Sequence, residues 1–209
     1  MRSFHYPVTL DLDERPCLVV GGGAVALRKA IGLLDAGARV TVVSPTLSTG
    51  LLELARDGRI RWRPREFVPG DTEASFLVVV ATNDRSINRL VMDEARRSRA
   101  LVNCADDPEH SDFILPALLR RGPLTVAVST GGASPAMACM VRDELDATLA
   151  EDYARLAEIV AEVRRTLRER GLSADGDRWA AALDERIKQL VATGQPLEAQ
   201  RRLEERLGA

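Results

Sequence analysis

The hydrophobic pattern in the first half of the chain alternates between short apolar runs and helical periodicities. Apolar, β-branched or strictly alternating runs predict strands at residues 17–20, 39–43, 59–63, 75–80 and 100–104. Helical spacing is found over residues 24–36, 47–56 and from 84 or 85 to 97. Strands that alternate with helices in this way predict an α/β fold built on a doubly wound parallel sheet.

The pattern changes after residue 112. Two strands are predicted close together at 113–119 and 124–129, with a turn at 121–123, and a helix follows over 135–149. From Tyr153 onward apolar residues recur at helical spacing, with a break at 171–177, and they mark three helices: Tyr153, Leu156, Val160, Val163 and Leu167; Leu183, Ile187 and Leu190; Leu197, Leu203 and Leu207. We therefore predict an N-terminal Rossmann-type domain at 1–112, a small segment of two strands and a helix at 113–149, and a helical C-terminal domain at 150–209.

Composition and charge exclude several classes of protein. The chain has 209 residues and a formal net charge of −2, which provides no basic surface for a nucleic acid. No apolar run reaches membrane-spanning length, and the first residues lack the order of a secretory signal peptide. The cysteines, Cys17, Cys104 and Cys139, are odd in number and widely spaced, which favours a reducing cytoplasm over a disulfide framework or a zinc site.

The first predicted strand ends in a glycine loop that matches the dinucleotide-binding fingerprint. Gly21-x-Gly23-x-x-Ala26 follows a strand, opens a helix and lies in a βαβ unit, which is the context that the fingerprint requires. We expect Gly21 to permit the tight turn and Gly23 to let a pyrophosphate approach the backbone, and we count Gly22 between them as a cofactor-binding residue. The amides of Ala24 and Val25 would then bind phosphate oxygens at the helix N-terminus. The alternative is a glycine turn without a ligand.

The second predicted strand ends without the usual ribose ligand. NAD-binding domains often place an acidic residue there, but here Val43 is followed by Ser44, Pro45 and Thr46. No arginine follows directly to favour a 2′-phosphate. We expect hydroxyls and backbone amides of residues 44–46 to reach the adenosine ribose, and we predict NAD rather than NADP as the cofactor.

Two further strand ends carry candidate chemistry. Ligands of doubly wound sheets bind outside the carboxyl ends of the strands. Thr82 and Asn83 follow the fourth strand and are candidate cofactor ligands on the nicotinamide side. Asp106 follows the fifth strand, where its carboxylate is a candidate general base. The alternative is that Asp106 or Asp107 caps a turn before Pro108.

Longer motifs resemble one family. Residues 20–29 fit its pattern V-G-G-G-x-V-A-x-R-K, and further matches lie at 81–84, 102–107, 113–117 and 126–135. In this order they resemble the precorrin-2 dehydrogenase family over about residues 4 to 150. The family occurs as the N-terminal part of siroheme synthases and as free-standing proteins.

The resemblance implies an activity and a catalytic residue. Members of the family oxidise precorrin-2 to sirohydrochlorin with NAD as hydride acceptor, and some also insert ferrous iron to give siroheme. The family's catalytic aspartate matches Asp106. The stretch at 113–129 matches the family's dimerisation region, so the resemblance implies a homodimer and makes 113–149 a dimerisation segment.

The tetrapyrrole substrate is rich in carboxylates, so its pocket should offer cations and amide donors. The candidates are Arg28, Lys29, Arg120, Arg121 and Arg142, together with Ser129, Gly131, Gly132 and Ser134. The alternatives are exposed surface charges and the capped start of a helix. No cluster has metal-ligand spacing, so we expect no resident metal, and iron insertion would rely on Asp106. The role of His110 stays open.

Two functions from other classes compete with the enzyme. One is a non-enzymatic NAD-sensing Rossmann module, which would have no use for Asp106. The other is a chelatase without redox activity, in which the nucleotide site is vestigial. The intact Gly21, Gly23 and Ala26 count against a vestigial site, and absorbance changes at the cofactor wavelength would separate the three functions.

Overall fold

A computed structural model describes residues 5–208 and divides the chain into two compact units. The first unit ends at Leu115 and the second begins at Pro116. Within the described residues no helix is both long enough and apolar enough to cross a membrane.

The first unit contains a parallel five-stranded sheet with the strand order β3-β2-β1-β4-β5. Its strands are β1 (Pro16–Val20), β2 (Arg39–Val43), β3 (Ile60–Arg63), β4 (Leu77–Val80) and β5 (Leu101–Cys104). Three helices, α1 (Ala24–Asp35), α2 (Thr49–Arg56) and α3 (Arg85–Arg97), accompany them. This architecture confirms the predicted α/β fold class, and the strand ends predicted from sequence lie within about two residues of those observed.

Helices cover both faces of this sheet. Successive residues of a strand point to opposite faces, and β1 follows this rule: Val19 packs in a core cluster with α1 and α2, whereas Leu18 and Val20 pack in a second cluster with α3. The central strands are buried on both sides, which explains why their sequences read as continuous apolar runs. Because all the strand pairings are parallel, the five strands direct their carboxyl ends to one edge of the sheet.

The second unit pairs a small antiparallel ribbon with helices. The ribbon consists of β6 (Ala117–Arg121) and β7 (Leu124–Val128), and the helices are α4 (Pro135–Thr148), α5 (Asp152–Glu169), α6 (Gly176–Ala182), α7 (Glu185–Ala192) and α8 (Pro196–Leu207). The last four helices share one apolar core, in which Val163, Ile187 and Leu203 are fully buried.

The structure corrects three details of the second half. The strand predicted at 113–119 begins only at Ala117 and continues through Arg121, because Phe113 instead packs against the core of the first unit. Helix α6 was missed, since it begins inside the break predicted at 171–177 and is only seven residues long, which is too short for a helical periodicity to show. On α5, Leu156, Val160, Val163 and Leu167 pack in the helical core as predicted, but Tyr153 is exposed and Ile159 is buried in addition.

Candidate functional site

The glycine loop joins the carboxyl ends of three strands. Gly21 has φ +125°, and a Cβ at this position would lie 2.2 Å from the Ala81 carbonyl oxygen at the end of β4. Its amide donates a hydrogen bond to the Val43 carbonyl at the end of β2, at 3.0 Å. Only glycine fits this position, since both the conformation and the close approach exclude a side chain.

The next two glycines differ in what surrounds them. A Cβ at Gly22 would lie 1.9 Å from the Thr46 carbonyl oxygen, so this residue lets the loop after β2 pack against the glycine loop. A Cβ at Gly23 would meet nothing within 4 Å, and the φ of Gly23 is −86°. Neither packing nor conformation in the protein requires glycine at position 23. The close approach of a ligand would explain why a residue without a side chain is found there.

The N-terminus of α1 is left without a side-chain cap. Among the described helices, α3, α4, α6 and α7 begin with side-chain caps, whereas α1, α2, α5 and α8 have none, and the N-cap residue of α1 is Gly23. The amides of the first turn of a helix lack intrahelical acceptors and carry partial positive charge. The start of α1 therefore suits an anionic ligand such as a pyrophosphate.

A cleft of about 500 Å³ opens over this helix start. It is lined by Val20, Gly21, Gly22, Gly23, Ala24, Val25, Val43, Ser44, Pro45, Glu66, Phe67, Ala81, Thr82, Asn83, Asp84 and Ile87. The structure thus brings together every predicted cofactor residue except Thr46, whose carbonyl packs against Gly22 instead. The cleft has the volume of a small-molecule site and lies at the edge where doubly wound sheets bind ligands.

Several polar side chains of the cleft are already engaged within the protein. The Ser44 hydroxyl donates to the Thr46 carbonyl at 2.7 Å, and the Thr82 hydroxyl donates to Asn88 Oδ1 at 2.6 Å. The Asp84 carboxylate caps α3, and the hydrogen bond from Ser86 hydroxyl, with those from the Ile87 and Ser86 amides, lowers its pKa. These side chains shape the cleft more than they offer free groups to a ligand.

Glu66 is a cleft residue that the sequence did not indicate. It follows β3 by three residues, it is exposed, and its carboxylate has no hydrogen-bonding or ionic partner among residues 5–208. The signal that could have found it is the strand order, because β3 pairs with β2 and its carboxyl end therefore lies beside the end of β2. An acidic residue after β3 can thus reach the region where acids after β2 usually act.

Two arginines near Glu66 are held by a buried carboxylate. Arg63 and Arg65 both donate to Asp71, whose side chain is only 3% exposed, and the Val68 amide donates to it at 3.1 Å. Burial by itself would raise the pKa of Asp71, but the hydrogen bonds from Arg65, the Val68 amide and Arg63 outweigh burial and lower it. Asp71 therefore neutralises positive charge that would otherwise face this part of the molecule.

The two aspartates in the loop after β5, Asp106 and Asp107, have different environments. Asp107 accepts from the His110 amide at 3.2 Å and lies 2.8 Å from His110 Nδ1, so it caps the 3₁₀ turn at Pro108–His110. The interaction with His110 lowers the pKa of Asp107. Asp106 is exposed, and its side chain makes no hydrogen bond with any residue from 5 to 208. The capping role considered for either aspartate thus belongs to Asp107, and His110 is its partner.

Asp106 is held at the same edge as the cleft although it does not line it. The Ala105 amide donates to the Val80 carbonyl at 3.0 Å, which extends the pairing of β4 and β5 by one residue. Because Val80 is paired with Cys104, Asp106 follows its strand by the same number of residues as Thr82 does. The backbone of Asp106 therefore lies level with that of Thr82 at this edge, and a catalytic role for its carboxylate stays a prediction.

The predicted substrate cations lie in different environments. Arg28 is exposed on α1, and Lys29 is half-buried, where desolvation and the nearby Arg28 lower its pKa. Arg121 forms an ion pair with Asp146, and Arg142 forms one with Asp143. Both arginines thus have partners within the protein, which is the alternative to binding substrate carboxylates. Arg120 is exposed on β6.

The segment from Ser129 to Ser134 forms the capped start of α4. Ser134 accepts from the Met137 amide at 3.2 Å, and Ser129 accepts from the Gly131 amide at 3.2 Å. Gly131 and Gly132 have positive φ angles of 63° and 88°. The alternative to carboxylate binding is therefore present in the structure, and a role in holding substrate stays a prediction.

Residues 5–208 contain no group of three or more histidine, cysteine or acidic side chains that could hold a metal ion. Cys17 and Cys104 are buried free thiols, and burial raises the pKa of Cys17 to about 11.

Two family models match the chain. Residues 8–117 match a model described as "Putative NAD(P)-binding", and residues 121–148 match one described as "Sirohaem biosynthesis protein central". The first match covers the glycine loop, the cleft and Asp106, and it confirms the predicted nicotinamide dinucleotide cofactor.

Curated relatives and a solved structure agree with these models. Siroheme synthase 1 of Serratia proteamaculans is 41% identical over 97% of this chain, and siroheme synthase 3 of Aeromonas hydrophila is 40% identical over 93%. These matches span only 43% and 42% of the relatives, so the chain covers less than half of their length. The structure of SirC, a precorrin-2 dehydrogenase, is 30% identical with a TM-score of 0.78, over 96% of this chain and 100% of SirC. The chain belongs to the precorrin-2 dehydrogenase family.

Proposed function

We propose that this protein oxidises precorrin-2 to sirohydrochlorin with NAD. The observation that carries the proposal is the combination of an open dinucleotide cleft with the carboxylate of Asp106 at the adjacent strand end, which has no partner among residues 5–208. The likeness to SirC over that protein's whole length supports the choice of substrate. It also favours an enzyme over a sensing module, which would gain nothing from Asp106.

Different residues of the cleft would bind different parts of NAD. The uncapped amides of Ala24 and Val25 would hold the pyrophosphate, with Gly23 leaving room for it. Thr82 and Asn83 would lie along the nicotinamide half, and the residues after β2 along the adenosine half. When bound, NAD accepts a hydride from the macrocycle.

Asp106 would take the proton that accompanies the hydride. Oxidation of precorrin-2 removes one hydride and one proton, so the protein must supply a base at the reacting edge. Asp106 suits this task because no residue from 5 to 208 competes for its carboxylate, and its exposure lets the proton pass on to water. Asp107 is a positioning residue, since it fixes the turn that follows.

We also propose that residues 113–149 form a dimerisation segment. The ribbon of β6 and β7 buries Leu119 on one face, while Leu118 on the opposite face is 41% exposed. Helix α4 exposes Met137 and Met140 by 53% each. Exposed apolar side chains concentrated on one segment are typical of a subunit interface, which supports a homodimer.

Ferrous iron is a second candidate substrate, supported by the siroheme synthase relatives alone. Asp106 would then serve as base and transient metal ligand. The location we propose is the cytoplasm, where the free thiols of Cys17, Cys104 and Cys139 would stay reduced.

The test is NADH formation on mixing the purified protein with precorrin-2 and NAD. Asp106→Asn should bind NAD normally and form NADH at least about a hundredfold more slowly, which is the usual contribution of a general base. Glu109→Gln is the matched control, because it removes an exposed carboxylate from the same loop.

Each alternative gives a different result. If Asp106→Asn keeps the wild-type rate, the enzyme stands and its base is another residue. If the wild-type protein forms no NADH but inserts iron into sirohydrochlorin, the chelatase without redox activity is correct. If it binds NAD and does neither, the sensing module is correct.

A further inference from the structure

We propose that Glu66 binds the adenosine ribose hydroxyls and selects NAD over NADP. The inference rests on the proposed dinucleotide function of the cleft. It assigns to the loop after β3 the task that Rossmann domains usually give to an acidic residue after β2. That usual position is occupied here by Ser44 and Pro45.

The position of Glu66 is fixed by the residues on either side of it. Phe67 is 7% exposed and packs in the core cluster that contains Val20 and Val43, the last residues of β1 and β2. Arg65 is clamped to the buried carboxylate of Asp71 by hydrogen bonds of 2.7 Å from both of its terminal nitrogens. Glu66 therefore lies at the carboxyl edge of the sheet, on the wall that it shares with Ser44 and Pro45.

The rest of the loop is anchored as well. The buried carboxylate of Glu94 on α3 accepts from the Gly70 amide at 3.0 Å and from the Thr72 amide and hydroxyl at 3.1 and 2.8 Å. Asp71 and Glu94 thus hold the loop at neighbouring positions. A ligand group supplied by this loop is preorganised, which lowers the entropic cost of binding.

Among the acidic residues that line the cleft, Glu66 is the one whose carboxylate is available. Asp84, the other acid in the lining, is committed to the cap of α3. The Glu66 carboxylate has no partner among residues 5–208, and only its backbone carbonyl is used, by Arg65. A carboxylate can accept hydrogen bonds from both ribose hydroxyls at once.

The charges around Glu66 favour a ribose over a ribose phosphate. A 2′-phosphate needs a free cation, but Arg63 and Arg65 are the cations of this loop nearest to Glu66 in sequence, and Asp71 engages both. Glu66 would add direct repulsion of the phosphate. The same arrangement thus attracts the diol of NAD and disfavours the 2′-phosphate of NADP.

The experiment measures dissociation constants for NAD and NADP by isothermal titration calorimetry, so it does not depend on turnover. The variants are Glu66→Gln, which removes the charge with little change of shape, and Glu73→Gln. Glu73 is an exposed acid of the same loop that does not line the cleft. Thermal melting would check that both variants are folded.

Glu66→Gln should lower the preference for NAD over NADP by about tenfold to a hundredfold, the range for a hydrogen bond to a charged group. Glu73→Gln should leave the preference unchanged within about twofold. An unchanged preference in Glu66→Gln, an equal loss in both variants, or a wild-type preference for NADP would overturn the role of Glu66 while leaving the cofactor cleft intact. If the wild-type protein bound neither nucleotide, both the cleft assignment and this inference would be wrong.

Discussion

Alanine substitutions at Gly21 and Gly23 should affect different properties, although the two residues belong to one loop: the first the stability of the fold, the second the affinity for NAD. In Gly23→Ala the new methyl group meets no protein atom within 4 Å, and a φ of −86° is allowed for alanine. Alanine is a poorer N-cap than glycine but has less entropy to lose on folding. These terms offset, so we expect the free energy of unfolding to change by less than about 1 kcal/mol.

The affinity for NAD is what we expect Gly23→Ala to lose, whereas Gly21→Ala should lose stability. The methyl group at position 23 would occupy space over the start of α1 where a pyrophosphate must approach, so we expect NAD affinity to fall at least about tenfold, or ~1.4 kcal/mol. In Gly21→Ala the methyl group would lie 2.2 Å from a backbone carbonyl at φ +125°. Left-handed strain of about 1–2 kcal/mol and overpacking of about 1–3 kcal/mol should together destabilise the fold by ~2–5 kcal/mol.

Urea unfolding and calorimetric titration with NAD separate the two effects. The reasoning about Gly23 is refuted if Gly23→Ala is folded and binds NAD with wild-type affinity. The reasoning about Gly21 is refuted if Gly21→Ala unfolds at the same urea concentration as the wild type.

Three further outcomes follow from individual contacts. Asp71→Asn should destabilise the protein by about 2 kcal/mol in urea unfolding, because it leaves two arginines without their buried partner, and a wild-type midpoint would contradict this. Hydrogen bonds from Arg202 and the Ile187 amide, with the charges of Arg202 and Arg206, lower the pKa of Asp184 to about 2. Its folded-state pKa lies below its unfolded value, so its contribution is complete above about pH 4 and is lost as the pH falls towards 2. Stability measured from pH 7 to 2 should therefore fall less in Asp184→Asn than in the wild type, and equal slopes would rule out this origin. Sedimentation should show a dimer for the wild type and a smaller species for Leu118→Asp, and a wild-type monomer at high concentration would exclude the proposed interface.

Sequence patterns predicted most of the first unit because each of its elements has a local signature. β1 is a buried apolar run, and Gly21 and Gly23 mark the turn into α1, so strand, loop and helix follow from neighbouring residues. The helix start at 84 or 85 was predicted in the same way, and the structure adds that Asp84 caps this helix by accepting from the Ile87 amide.

The features that were missed depend on contacts between distant parts of the chain. Glu66 becomes a cleft residue only because β3 pairs with β2, and its loop is held by Glu94, which is 28 positions further along. The strand shift at Phe113 has the same origin, since Asn103 donates to its carbonyl at 2.8 Å and holds it against the first unit. Hydrophobic periodicity carries no information about such pairings.

The most direct test of the proposed function is the stoichiometry of the reaction catalysed by the wild-type protein. Precorrin-2 would be supplied with excess NAD, and NADH and sirohydrochlorin would be followed together by their absorbance. The dehydrogenase proposal predicts one NADH for each sirohydrochlorin formed and no acceleration when NAD is left out. Sirohydrochlorin formation that the protein accelerates without NADH, or the absence of both products from protein that binds NAD, would contradict it.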